Sequence, residues 1–411
     1  METIFFNFIW GSKIDKIKRN VLKSDYTDGG LKMIDIFNFI TALKCSWVRR
    51  LIKADTPWVN MFKSYYGKKC IERITDFGDD YIDVLLSKTT NQFWKDVLTS
   101  WKTFVKCERS TKMNNILCIP LWYNSSITIG EKSIFYQTWY RKGIKIIGDI
   151  VDNNGVALKK EELEDKFCLD SICILRYNGL CNSVKKAILN YGMNVAPIIY
   201  PYIDHLVHML YINPKGCNVF YRQLPLKKSS LPSEQKWAND LNLDHVEWRN
   251  IYNICFKMTT DTTLQWFQYR ILTRILPVND YLFKIGYNDT RYCSLCGEDL
   301  ETLVHLFYNC EKSKDLWNLL CLWIKNKTHV NVELNVQDII FGVENSILNF
   351  IIMVSKYYIY TSAKKGRSIH IFALQKYIEE RYRIEKFIAC KNMKSLNFNR
   401  KWYIWEKLFT E

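Results

Sequence analysis

Proline and glycine are scarce in this chain. Only 8 Pro and 16 Gly occur in 411 residues, which disfavours turn-rich sheets and favours long regular elements. Long apolar runs are missing too. The longest, Ile347 to Val354, is interrupted by Asn349 and closed by Ser355 and Lys356, so it is too short to span a bilayer and no membrane partner is expected. There is no Gly-rich phosphate loop, no Gly-x-Ser-x-Gly elbow and no carboxylate cluster of the endonuclease kind. The first ten residues lack the basic lead and small-residue cleavage site of a signal peptide. Acidic residues are outnumbered, 42 Asp+Glu against 58 Lys+Arg, for a formal charge of +16. Such a balance points to a polyanionic partner, usually nucleic acid and less often a membrane surface. What is abundant is core material. Hydrophobic residues make up 48% and aromatics 15%, enough for sizeable cores in two or three domains.

Eleven of the 14 cysteines, Cys45 through Cys255 with Cys321 and Cys390, follow no regular spacing. No disulfide framework is visible, and a reducing compartment, nuclear or cytoplasmic and not secretory, is expected. The other three stand with a histidine in Cys293-x2-Cys296-x8-His305-x4-Cys310. Three thiolates and one imidazole complete a four-coordinate Zn²⁺ shell and leave no position for water or substrate. That set predicts a structural metal, not a catalytic one. Gly297 after the second Cys allows a sharp turn around the ion. Two plainer readings compete. The residues are either buried cysteines beside a helix histidine, or a redox Cys-x2-Cys, which lacks its βαβ surroundings here.

Apolar spacing predicts helices over 34–53, 93–105, 161–167, 183–191, 237–258, 262–275, 281–285, 301–307, 312–323 and 371–389. Leu121-Trp122-Tyr123, Ile127-Thr128-Ile129 and Ile144 to Ile147 read as short strands or buried turns. The expected class is mainly α: a helical multi-part chain with a small zinc-stabilised module and few short strands. The expected parts are a helical region 1–115, a mixed region 116–221, a linker 222–236 and a C-terminal helical domain 237–411. The last holds the zinc module at 290–325 and a basic aromatic tail at 356–411. Pro225, Pro232, Lys227-Lys228 and Ser229-Ser230 mark the linker.

Several runs together resemble one family. Leu264-Gln265-Trp266-Phe267-Gln268-Tyr269-Arg270-Ile271-Leu272-Thr273-Arg274-Ile275-Leu276-Pro277, then Asn279-Asp280 and the Cys-Cys-His-Cys motif, is similar to the zinc-binding segment after the polymerase of LINE-type, non-LTR retrotransposon reverse transcriptases. Phe8-Ile9-Trp10, Gly29-Gly30-Leu31-Lys32-Met33 and Leu43 to Arg50 resemble the stretch after the thumb of those proteins. Phe93 to Val97, Trp139 to Ile144 and Tyr357 to Tyr360 follow in the same order. The resemblance implies a wrist-like helical part and a zinc-bearing C-terminal domain that helps hold RNA or DNA near the polymerase. Only Cys293, Cys296, His305 and Cys310 carry over as functional positions. The eight-residue gap from Cys296 to His305 departs from the four-residue gap of retroviral zinc knuckles, so knuckle-style base stacking does not carry over.

Phe77-Gly78-Asp79-Asp80 imitates the aromatic-x-Asp-Asp core of a reverse transcriptase, whose paired carboxylates bind Mg²⁺. Polar Glu72 to Asp76 precedes it in place of an apolar strand, and no earlier carboxylate strand fits in the first 76 residues. A polar turn ahead of a helix near Tyr81 is expected, and no polymerase activity. His205 and His208, three apart on an apolar face, read as packed or surface histidines rather than a metal pair.

Residues 356–411 hold 13 Lys+Arg against 5 Glu and no Asp, with twelve aromatics among them. Cations beside rings suit single-stranded nucleic acid, although any one ring is more readily explained as core. The expected contacts are Lys364, Lys365, Arg367, Arg381, Arg383, Lys391, Lys394, Arg400 and Lys401. The expected function is therefore a non-catalytic segment that holds single-stranded RNA or DNA through a basic helical surface organised by zinc. The alternative is a zinc-organised protein–protein module, host-repurposed or docking to a separately encoded reverse transcriptase domain.

Overall fold

With few helix breakers, helices form wherever an apolar stripe recurs. The computed structural model describes every residue except 1, 12, 54–55, 68, 113–114, 192–205, 207–209, 212–215, 227–230 and 410–411. The expected histidine pair, His205 and His208, and the Lys227 to Ser230 part of the linker lie outside the described residues. The fold is mainly α, and among the described residues one sheet occurs, Thr128–Ile129 antiparallel to Lys132–Ser133. Gly130 and Glu131 between them have φ of 57° and 64°, the left-handed pair that a tight hairpin turn needs. The neighbouring apolar runs are extended, bonded turns rather than strands. Leu121 N–H donates to Lys145 C=O (2.9 Å) and Ile147 N–H to Ile119 C=O (3.0 Å). No helix among the described residues is long and apolar enough to cross a membrane.

The chain forms two compact units, and their boundaries differ from the expected ones. One unit is Met1–Met33 together with Leu226–Glu411, and the other is Ile34–Pro225. The expected region 1–115 is thus divided after residue 33. Its first part belongs with the C-terminal core because Phe6, Trp10, Val21 and Leu22 bury in one cluster with Leu231, Trp237, Tyr252 and Phe267. Tyr26 stacks on Phe256 at 4.1 Å, and Tyr269 donates its hydroxyl hydrogen to Gly29 C=O at 2.9 Å. The rest of 1–115 shares a core with the expected mixed region 116–221. Within that unit, Phe104 from helix Gln92–Lys112 packs edge-on against Phe220 at 5.3 Å.

The expected linker straddles the unit boundary, but its last residues are not a linker. Leu231 and Ser233 are buried, and Pro232 opens helix Pro232–Leu241. Proline has no N–H to waste at the first helical position, so it starts a helix as readily as it ends one. The single helix expected over 237–258 is two, Pro232–Leu241 and Trp248–Lys257, because Asn242 takes a left-handed φ of 50° and stops the first.

In the Ile34–Pro225 unit, Phe77 to Asp80 joins helix Cys70–Asp76 to helix Asp80–Lys88. Gly78 donates its N–H to Trp122 C=O (2.8 Å) and Asp80 donates to Tyr123 C=O (3.0 Å). A Cβ at Gly78 would lie 2.3 Å from Tyr123 O, so backbone meets backbone there. Phe77 is buried among Tyr81, Tyr123, Phe135 and Tyr140. Burial works against ionised Asp79, yet the Ser125 N–H and hydroxyl and Lys106 outweigh it and hold the carboxyl below its usual range. The segment is a helix junction braced by a buried carboxylate.

Candidate metal centre and basic surface

A backbone loop brings the first two cysteines together. Tyr292 and Leu300 form an isolated antiparallel bridge, and Cys293 N–H donates to Asp299 C=O at 2.8 Å. Inside the loop Gly297 N–H donates to Cys293 C=O (2.8 Å) with Gly297 at φ 80°, the left-handed position expected for it. Leu295 points its N–H at Cys293 Sγ, 3.4 Å away. The other two candidate ligands come from a helical turn. Leu303 and Val304 lead into a π-helical turn His305–Asn309, in which Cys310 N–H donates to His305 C=O at 2.8 Å. Widened turns of this kind recur at functional sites. Cys310 then caps helix Glu311–Thr328, which places its thiol at a helix N-terminus.

The four side chains converge. Their ligand atoms all lie within 4.8 Å of one another, with Cys293, His305 and Cys310 buried and Cys296 half-buried. Cys293 Sγ is 3.9 Å from Cys310 Sγ, and Cys296 Sγ is 3.4 Å from His305 Nε2. Tetrahedral zinc with ordinary bond lengths requires about 3.8 Å between sulfurs and about 3.6 Å between sulfur and nitrogen. The residues therefore fit the ion. Asp299 Oδ2 lies 3.6 Å from His305 Nδ1, on the side of the ring away from the cysteines, where a carboxylate orients a metal-binding imidazole. Of the coupled pair, Cys310 is the thiol held low. It takes a hydrogen bond from Cys293 and, against the effect of burial, is approached by the N–H groups of Ser313 and Lys312.

A polar cluster behind the loop was not evident in the sequence. Glu301 is wholly buried, and its Oε1 accepts from Asn279 N–H (2.9 Å) while its Oε2 accepts from Ser294 N–H (2.9 Å). Asn279 Nδ2 donates to Tyr292 C=O and to Ser294 Oγ, both at 2.9 Å. Lys364 completes the cluster, 3.4 Å from Glu301 Oε1 and 3.0 Å from Asn279 Oδ1. The loop that carries Cys293 and Cys296 is thus tied to helices Asn279–Lys284 and Ser346–Lys364. The signal available in the sequence was a carboxylate lodged between Leu300 and Leu303, which marks burial without naming a partner.

The expected nucleic-acid contacts divide into engaged and open groups. Lys364 is engaged as described. Arg381 pairs with Asp261 at 2.7 Å and also donates to Tyr377 Oη. Neither is a free cation, because a protein carboxylate holds each. Arg383 is exposed and pairs with Glu379 one helical turn away (2.6 Å). Lys365, Arg367, Lys391, Lys394, Arg400 and Lys401 are exposed. Of the twelve aromatics in 356–411, only Phe372, Phe387 and Tyr403 are strongly exposed, at 76%, 68% and 80%. The others pack in or against the core, so the aromatic content of this tail is mostly structural.

No curated protein matches the chain. Residues 235–317 match the model of a family described as zinc-binding in reverse transcriptase. That stretch runs from helix Pro232–Leu241 to helix Glu311–Thr328 and contains all four converging side chains. The chain thus carries a zinc-binding domain of the kind found in reverse transcriptases.

Proposed function

We propose that this chain is a non-catalytic, nucleic-acid-holding segment of a reverse-transcriptase-like protein of the LINE type, organised by one structural Zn²⁺. The observation that carries the reading is the closed Cys293, Cys296, His305 and Cys310 set inside the matched segment. A zinc ion held there would supply a cross-link between the 293–296 loop and the start of helix Glu311–Thr328, with no open position for chemistry. The formal charge of +16 supports a nucleic-acid partner. No disulfide occurs among the described cysteines, which accords with a reducing compartment, nuclear or cytoplasmic. Asp79 and Asp80 sit at a helix junction, so this reading gives the isolated chain no polymerase activity, and primer extension with Mg²⁺ should yield no product.

The metal half of the reading is tested by elemental analysis, which should find one zinc per chain. Cys296→Ser with Cys310→Ser should lose it and loosen residues near 290–325 to hydrogen exchange. Full zinc in that double variant would end the assignment. The nucleic-acid half is tested by anisotropy titration of labelled single strands across salt concentrations, with log affinity falling as log salt rises.

One observation favours a second reading. On helix Glu2–Trp10, Ile4, Phe5 and Phe8 are 69%, 54% and 88% exposed. Large exposed apolar side chains on one short helix suit a protein partner, and a reverse transcriptase domain is the one this reading names. A stable pull-down of that domain without nucleic acid would favour it.

A further inference from the structure

The open cations are not confined to the tail. In the zinc-bearing unit a groove of about 760 Å³ lies between the 13–18 segment, the start of helix Pro232–Leu241 and the turn 273–275. Its size is that of sites which hold a ligand of several rings. Lys13, Lys16, Lys18 and Lys236 line it, all four exposed and without an ion-pair partner among the described residues. The acid at its edge, Asp15, is already taken by Arg19 at 2.7 Å. A cleft lined by one sign of charge focuses the field within it and concentrates an oppositely charged ligand there.

Arg274 adds a second observation. It follows helix Thr262–Leu272 with φ of 59°, a left-handed position where glycine is the ordinary choice. Its guanidinium lies over the Trp237 ring (4.3 Å) and pairs through Nη2 with Asp240 (2.5 Å). Nη1 is buried and has no hydrogen-bond partner among the described residues. The guanidinium is thereby fixed at the wall of the groove, with its side chain 25% exposed, and bounds the hollow on that side.

The floor of the groove is apolar, formed by Ile17, Val21, Leu231 and Ile275. Tyr281, 43% exposed, and Ile14, 90% exposed, stand on its edge. Cations around an apolar hollow with an accessible ring match the two halves of an unpaired nucleotide, phosphate outside and base inside. A duplex keeps its bases stacked and offers only its backbone to such a groove. We infer that this groove binds single-stranded nucleic acid, with Lys13, Lys16, Lys18 and Lys236 on phosphates and Tyr281 against a base. The inference rests on the nucleic-acid reading above and moves the principal contact from residues 356–411 to the groove.

The test uses the full chain with zinc bound and fluorescein-labelled eight-residue oligo-dT and oligo-U. Anisotropy is followed from about 50 to 200 mM salt, with an eight-pair duplex and poly-glutamate as competitors. Lys13→Ala, Lys16→Ala and Lys236→Ala combined should flatten the log–log salt slope by about two units, since each phosphate no longer neutralised takes about 0.7 from it. Tyr281→Ala should weaken binding roughly tenfold with an unchanged slope, since stacking carries no counterion term. Lys391→Ala, Lys394→Ala, Arg400→Ala and Lys401→Ala combined should alter the slope by less than about one unit. All the substituted lysines are exposed, and an unchanged zinc content verifies folding. If the tail variant fails to bind and the groove variant still binds, the groove assignment fails while the nucleic-acid reading stands. If poly-glutamate or the duplex competes as well as a single strand, the assignment of a single strand fails. If the unaltered chain binds no single strand at all, the nucleic-acid reading fails and the inference with it.

Discussion

Lys364 and Lys365 are sequence neighbours with different surroundings. Lys364 reaches the wholly buried Glu301 and Asn279, while Lys365 faces solvent. Removing Lys364 leaves a buried carboxylate without its cation, which is costly even when N–H donors remain. Lys364→Ala should therefore lower stability by about 2 kcal/mol in urea unfolding and speed zinc release to a chelator. Lys365→Ala should change stability by less than about 0.5 kcal/mol. Equal effects would mean that the Glu301 cluster does not brace the metal loop. The two lysines also show what was legible at this scale. Cys293, Cys296, His305 and Cys310 lie within one short stretch, so ligand type and spacing alone marked them. Glu301 and Lys364 are 63 positions apart, and no local pattern pairs them. Charge density drew both lysines into the expected nucleic-acid surface, although folding had already committed one of them.

Helix Ser346–Lys364 runs through the core of the zinc-bearing unit, with every residue from Ile347 to Lys356 buried. Asn349 belongs there because its amide closes the turn before the helix, accepting from Val343 N–H at 2.6 Å. Lys356 ends the buried run, with its Nζ donating to Gln268 Oε1 (2.6 Å) and Ile340 C=O (3.3 Å). Burial pulls its pKa down to about 7, with the Cys255 thiol opposing. The folded state thus prefers the neutral amine, whereas the unfolded chain keeps the proton up to about 10.5. Stability should rise with pH between about 7 and 10, by up to ~1.4 kcal/mol per unit from this group. Below pH 7 the full cost of burying the charge is present. Lys356→Met should remove most of that slope and raise stability at neutral pH by about 1 kcal/mol, since Gln268 Oε1 loses its donor. An unchanged slope in urea unfolding across pH would show that Lys356 does not titrate there. At Gly78 the packing forbids any side chain, because a Cβ would strike the Tyr123 and Asn124 backbone at 2.3 to 2.7 Å. Gly78→Ala should cost about 2 kcal/mol or more, read as a lower unfolding midpoint of the Ile34–Pro225 unit. Neutral behaviour would contradict the close approach. Element positions were largely legible because apolar periodicity is local. The breaks were less so, since Pro232 and Asn242 act through backbone angles that only the packed context selects.

At the scale of the whole molecule, the zinc-bearing unit is built from the two ends of the chain. Burying Phe6, Trp10, Val21 and Leu22 is worth about 1.5 to 3 kcal/mol for each side chain. Deleting residues 1–33 should lower the urea midpoint for zinc release by the equivalent of about 3 kcal/mol or more. Adding a peptide of those residues in trans should restore much of it. An unaffected midpoint would mean that the first 33 residues are not part of that core. This arrangement was the least legible feature, because a long-range partnership leaves no periodic mark in sequence and composition changes little at residue 33. The division also sets an order of events during synthesis. Ribosomes add roughly 5 to 20 residues each second, so the inserted stretch Ile34–Pro225 takes on the order of 10 to 40 s to emerge. Throughout that interval the inserted unit can fold, while helix Glu2–Trp10 waits for the Leu226–Glu411 part of its core. Residues 1–33 are made before the inserted unit and buried after it.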